Sequence, residues 1–156
     1  LSVNIGQARE LNVGPKTVTT GLFKLPVDGP QELTPLGLAG DVICSSQHHG
    51  GPDQAVYVYT APDYAWWGGT LGRDIAPGTF GENLTLSDLE SAEMVIGDRL
   101  VLDEVTLEVT APRIPCAAFA ARMEDSGFVK RFRLAERPGF YCRVLRTGRV
   151  IYPKPE

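Results

Sequence analysis

The sequence predicts a mainly β fold, with short strands closing into a barrel or nearly so and a few short helices. Three observations carry this. Apolar and polar residues alternate in short segments, as in residues 54–60 (Gln-Ala-Val-Tyr-Val-Tyr-Thr), which is the spacing of a strand with one face buried. The 17 glycines and 12 prolines are spread along the chain, so they read as turn punctuation between strands. Many short strands interrupted in this way favour a barrel, which removes exposed sheet edges.

The elements follow in order. Thr60 is placed to cap a helix, with Pro62 early in its first turn and Asp63 three residues on. A helix over residues 61–71 is expected, broken at Gly68-Gly69. Residues 99–102 and 105–110 flank Asp103-Glu104 as a hairpin. A second helix should run from about Pro115 to Met123, because proline suits the first helical position. A third covers residues 128–134. Residues 141–146 and 149–152 flank Thr147-Gly148, which reads as a second hairpin with glycine in its turn.

A length of 156 residues suits one domain spanning residues 1–156. Hydrophobic residues make up 43% and charged residues 22%, the balance of an ordered globular chain. The net charge of −4 argues against nucleic-acid binding, which wants a basic face. A local positive pocket for a small anion remains compatible with it. No apolar run approaches the ~18 residues of a membrane span. The first residues, Leu-Ser-Val-Asn-Ile-Gly, read as a strand and not as a signal peptide. Cys44, Cys116 and Cys142 are an odd number without a Cys-x-x-Cys pair, so a disulfide framework is not expected and a cytoplasmic setting is.

Four segments can carry chemistry. In Ala-Pro-Arg-Ile-Pro-Cys, residues 111–116, a strand ends and Cys116 opens a helix. Unpaired amides of a first helical turn favour an anion, and they and Arg113 would lower the thiol pKa. A small buried apolar cysteine is the plain alternative. Residues 47–53, Gln-His-His-Gly-Gly-Pro-Asp, offer His48 or His49 as a proton-transfer group. Gly50 and Gly51 allow close backbone approach. The plain alternative is a turn with surface imidazoles, and a two-histidine metal site lacks supporting ligand spacing. Residues 77–84 hold Gly78, Phe80, Gly81, Glu82 and Asn83, either a plain loop or one that wraps a flat ligand while Asn83 recognises an amide-like edge. Lys24 lies among apolar neighbours, either as a phosphate ligand or with its stem packed and its head in water.

These segments, in this order, resemble the MOSC domain family, named for the C-terminal domain of molybdenum cofactor sulfurases, and within it the YiiM-like branch. Phe-Gly-Glu-Asn-Leu followed by Pro-Arg-x-Pro-Cys is its most specific part, and scattered matches extend from Val3 to Val144. The resemblance implies a MOSC-type β-barrel and binding of the pterin-based molybdenum cofactor (molybdopterin), a group labile enough to be lost on purification. Cys116 would be the molybdenum ligand or a persulfide carrier. His49 would be a catalytic proton donor. Lys24 and Arg113 would anchor the cofactor phosphate, and Gly50, Gly78, Phe80, Gly81, Glu82 and Asn83 would complete the cofactor site.

Members of this branch reduce N-hydroxylated compounds, including hydroxylaminopurine-type bases. The expectation here is such a reductase, acting on a small molecule with a separate electron-donor protein. Longer relatives carry a helical tail or an electron-transfer domain beyond the last strand. A sulfur carrier with a persulfide on Cys116, or a non-catalytic cofactor-binding module, are the alternatives. After Gly40-Asp41 the family commonly has Gln-Ala-Asp. This chain has Val42-Ile43-Cys44-Ser45-Ser46, so an acidic residue near the site is expected to be missing. Trp66, Trp67 and Phe132 suit either the core or a homodimer contact.

Overall fold

A computed structural model describes residues 1–42 and 50–152. Among the described residues it contains twelve strands and three α-helices, so the chain is mainly β, as the alternation predicts. The strands are β1 (Ser2–Gly6), β2 (Arg9–Val13), β3 (Lys16–Thr20), β4 (Lys24–Val27), β5 (Gly29–Thr34), β6 (Gly37–Leu38), β7 (Val56–Thr60), β8 (Leu84–Leu86), β9 (Arg99–Leu102), β10 (Val105–Pro112), β11 (Phe140–Arg146) and β12 (Gly148–Tyr152). The helices are α1 (Ala61–Leu71), α2 (Ala117–Arg122) and α3 (Phe128–Ala135).

Among the described residues the strands form three separate sheets rather than one closed barrel. A seven-stranded sheet runs β4-β1-β8-β7-β11-β10-β9, a three-stranded sheet runs β12-β5-β6, and β2 and β3 pair by themselves. The chain passes from the large sheet into the three-stranded sheet twice, at Asp28-Gly29 between β4 and β5 and at Thr147-Gly148 between β11 and β12. The second crossing replaces the expected hairpin: β11 pairs with β10 and β7, while β12 pairs with β5. Gly148 has φ 153°, and a Cβ on it would meet the Glu104 Cβ at 2.7 Å. Its role is therefore passage between two sheets close to the β9–β10 turn. That turn, with Asp103 at φ 54°, does form the expected hairpin.

β7 explains the layering. All five of its residues are buried, because both faces are covered. Val56 and Val58 join Val3, Leu33, Leu84, Leu107, Cys142 and Val150 in an aliphatic core contributed by the large and three-stranded sheets. Tyr57 and Tyr59 face the other way, into an aromatic core with Tyr64, Trp67, Phe80, Phe119, Phe128 and Phe132. Burial of so much aromatic area is the main drive for docking the short helices.

α1 starts where its cap predicts. Thr60 Oγ1 accepts from the Asp63 amide at 3.2 Å. The helix is not broken at Gly68-Gly69 but runs on to a left-handed cap at Gly72, φ 71°. Internal glycine costs about 1 kcal/mol relative to alanine, and buried Tyr64 and Trp67 offset it. Trp67 and Phe132 lie in the core, each 1% exposed, whereas Trp66 is on the surface under the Arg137 guanidinium.

Candidate functional site

A cavity of about 410 Å³ opens beside β7 and β11. That size suits a small organic ligand. The β2–β3 hairpin supplies Val13 and Val18 to its wall, and the start of α2 supplies Cys116, Ala117 and Ala118. The loop after Phe80 supplies Gly81 and Asn83. Lys24, Gly50 and Arg113 also line it. Six of the residues expected at the site thus converge: Lys24, Gly50, Gly81, Asn83, Arg113 and Cys116.

Lys24 lines the cavity but does not keep its head in water, as the plain reading has it. Its ammonium is buried rather than in water, and it donates to both Asp41 carboxylate oxygens, at 2.8 and 3.0 Å. Asp41 is held further by the Gly6 amide at 3.0 Å and by Asn83 Nδ2 at 2.7 Å. Asn83 in turn accepts from the Tyr57 amide through Oδ1, at 3.1 Å. Asp41, which precedes the stretch where the family's acidic residue is missing, itself lines the cavity. Each Asp41 oxygen receives two donors, so the carboxylate fixes both the Lys24 ammonium and the orientation of the Asn83 amide.

Arg113 is 6% exposed. Its Nη1 donates to the Phe80 carbonyl. Its guanidinium carbon lies 3.9 Å from the Phe119 ring centroid and 4.8 Å from that of Tyr57. Burial works against the charge, but the hydroxyls of Tyr57 and Tyr141 and the thiol of Cys116 outweigh it and leave the Arg113 pKa raised. Cys116 is the half-buried cap residue of α2.

Gly78, Phe80 and Glu82 are not in the cavity wall. The Phe80 ring is at the centre of the aromatic core, 0% exposed. Glu82 is equally buried; it accepts from Tyr64 Oη at 2.7 Å and Thr85 Oγ1 at 2.9 Å. Burial pushes its carboxyl pKa up, against those hydrogen bonds. Gly78, at φ 90°, lets the loop pass over β4, where a Cβ would meet the Lys24 carbonyl oxygen at 2.4 Å. These three residues hold the loop so that Gly81 and Asn83 reach the cavity. His48, His49 and Cys44 lie outside the described residues.

Sequence reasoning missed Asp41, Gln54, Tyr57 and Tyr141, which all line the cavity. Tyr57 and Tyr141 are register partners on β7 and β11. Their shared facing follows only once that pairing is known.

The MOSC domain family model matches residues 45–152. The chain belongs to the MOSC domain family. It is 37% identical over 150 residues to YflK of Bacillus subtilis, covering 96% of this chain and 68% of that one. It is 32% identical over 154 residues to a reductase of Gibberella moniliformis, covering 96% of this chain but 27% of that protein. The crystal structure of YiiM from Geobacillus stearothermophilus superposes with a TM-score of 0.76 at 28% identity, over 96% of this MOSC domain and 69% of that chain. Among the described residues no helix is long and apolar enough to cross a membrane.

Proposed function

We propose that this MOSC domain binds the molybdenum cofactor in the cavity, with Cys116 as metal ligand, and reduces N-hydroxylated compounds of the hydroxylaminopurine type using a separate electron donor. The observation that carries this reading is the convergence of Cys116, Arg113, Lys24 and Asn83 on one cavity of ligand size. Family membership, a relative named reductase and the likeness to YiiM support it.

The residues present fit such a group. Cys116 offers one thiol. Arg113 has a buried Nε with no hydrogen-bond partner, and Gln54 Oε1 is in the same condition. Buried polar atoms are normally satisfied, so a polar ligand has both a donor and an acceptor to meet. Arg113 carries a positive charge for an anionic group. Lys24, already paired with Asp41, is the weaker anion anchor. Asn83 and the Gly81 backbone present hydrogen-bonding edges, and Gly50 lets a ligand approach closely.

When bound, the cofactor supplies the two-electron chemistry that removes oxygen from an N–OH group. The chain's part is to hold and orient ligand and substrate between the hairpin, α2 and the Tyr57–Tyr141 wall. His49 is the proposed proton donor.

The test is expression in a host able to make the cofactor, followed by molybdenum quantification on wild type and Cys116→Ala. Reduction of a hydroxylaminopurine with an artificial electron donor is assayed in parallel. Stoichiometric metal that disappears in Cys116→Ala, together with reduction, is the expected result. Metal-free protein carrying a persulfide on Cys116 would replace this reading with sulfur transfer. Bound cofactor without reduction by any donor would replace it with a cofactor-holding module.

A further inference from the structure

Gln54 ends the short 3-10 turn Pro52–Gln54, just before β7. Its backbone amide is satisfied by the Gly51 carbonyl at 3.1 Å. Its side-chain oxygen is not: Oε1 is buried with no hydrogen-bond partner, and the residue lines the cavity. Arg113 Nε is a second buried atom in the same condition in the same wall. One is an acceptor without a donor and the other a donor without an acceptor. Both residues line the cavity, so a ligand seated there can supply the missing partners once these side chains turn toward it. Tyr57 and Tyr141, with ring centroids 5.2 Å apart, form an aromatic wall beside them, which suits a flat ligand.

We propose that Gln54 is a specificity-determining residue: its Oε1 accepts an amino or amide N–H from a flat nitrogen heterocycle, while Arg113 Nε donates to an acceptor on the same ligand. Two molecules in the proposed function have this chemistry, the pterin of the cofactor and the base of the substrate. The inference rests on that reading only for the source of the heterocycle.

The first experiment needs no turnover. Folded, cofactor-free protein is titrated calorimetrically with 2-amino-4-hydroxypteridine and with adenine, and with unsubstituted pteridine and purine, which lack the amino group. At least one amino-bearing probe should bind about tenfold more tightly than its unsubstituted parent, the effect of one buried hydrogen bond. Gln54→Met keeps the side-chain length but removes the acceptor, and should abolish that preference. Gln54→Glu keeps an acceptor and should retain it. Circular dichroism and the thermal midpoint establish that both variants fold. A folded Gln54→Met that keeps the wild-type preference overturns the proposal, as does wild type that binds no amino-bearing probe.

The second experiment separates the sources, using protein made in a cofactor-producing host. Loss of bound pterin in Gln54→Met assigns the contact to the cofactor. Wild-type pterin content with a raised KM for the hydroxylamino base assigns it to the substrate. Wild-type values of both overturn the proposal. Loss of reductase activity with the probe preference intact would count against the proposed function and leave Gln54 in its role.

Discussion

The Lys24 ammonium lies 2.8 Å from one carboxylate oxygen of Asp41 and 3.0 Å from the other, with side-chain exposures of 7% and 8%. A pair this deeply buried contributes little net stability while both partners are present, but removing one leaves an uncompensated charge. Asp41→Ala is predicted to destabilise the fold by about 3–5 kcal/mol. Adding Lys24→Met to it should recover a large part of that loss, because no buried charge then remains. Urea unfolding of the two single variants and the double variant checks this. A double variant no more stable than Asp41→Ala would contradict the charge argument.

The second prediction separates two cations that look alike in sequence. Lys24 already faces a carboxylate, whereas Arg113 faces three aromatic rings and a carbonyl, and its Nε has no hydrogen-bond partner. Anion binding in the cavity should therefore depend more on Arg113. Arg113→Lys keeps the charge but loses the planar fork and its stacking on Phe119. It should weaken binding of a phosphate-bearing ligand by about tenfold, the equivalent of ~1.4 kcal/mol. Lys24→Met combined with Asp41→Asn, which leaves no uncompensated charge in the cavity, should weaken it less. Calorimetric titration with a pterin phosphate compares them, and the reverse order would reassign the anchor.

Local signals and non-local ones fared differently. The bounds of α1 are readable because Thr60, Pro62 and Asp63 act on the turn they sit in. The β9–β10 hairpin is readable because Asp103-Glu104 joins strands that pair with each other. Thr147-Gly148 offers a similar signal and misleads. Whether the chain folds back there or crosses into another sheet is decided by β5, far away in sequence. At the candidate site, Cys116, Arg113, Lys24 and Asn83 are readable from their motifs. The inward facing of Phe80 and Glu82 is not, because Tyr64 on α1 sets it by bonding both the Phe80 amide and the Glu82 carboxylate. Asp41 escapes notice because its partners, Gly6, Lys24 and Asn83, come from three separate parts of the chain.

Glu82 gives a pH prediction. Burial raises its carboxyl pKa in the folded state, so the folded chain holds this proton more tightly than the unfolded chain does. Stability from this group is then fully present below the unfolded carboxylate value and is lost as pH rises through the folded pKa. Glu82→Gln cannot ionise and should remove this component. Stability measured from pH 4 upward should fall more steeply with pH in wild type than in Glu82→Gln. Parallel curves would mean that the Tyr64 and Thr85 hydrogen bonds fully cancel the burial effect.

The last prediction concerns which thiol reacts. Cys142 is 0% exposed on β11, inside the aliphatic core. Burial pushes its pKa up to about 12, so near neutral pH it is almost entirely protonated as well as sealed from reagents. Cys116 is half-buried and lines the cavity, where a reagent of ligand size can reach it. The thiolate is the reactive form, and access limits its rate. In cofactor-free protein, iodoacetamide near neutral pH should alkylate Cys116 more than ~100-fold faster than Cys142. Peptide mass spectrometry over a time course reads both sites in one sample. Urea should erase the difference, because it comes from the fold and not from local sequence. Bound cofactor should slow Cys116 and leave Cys142 unchanged, since only Cys116 shares the cavity. Early labelling of Cys142 in the folded protein would contradict its place in the core. A Cys116 rate indifferent to bound cofactor would remove that thiol from the proposed site.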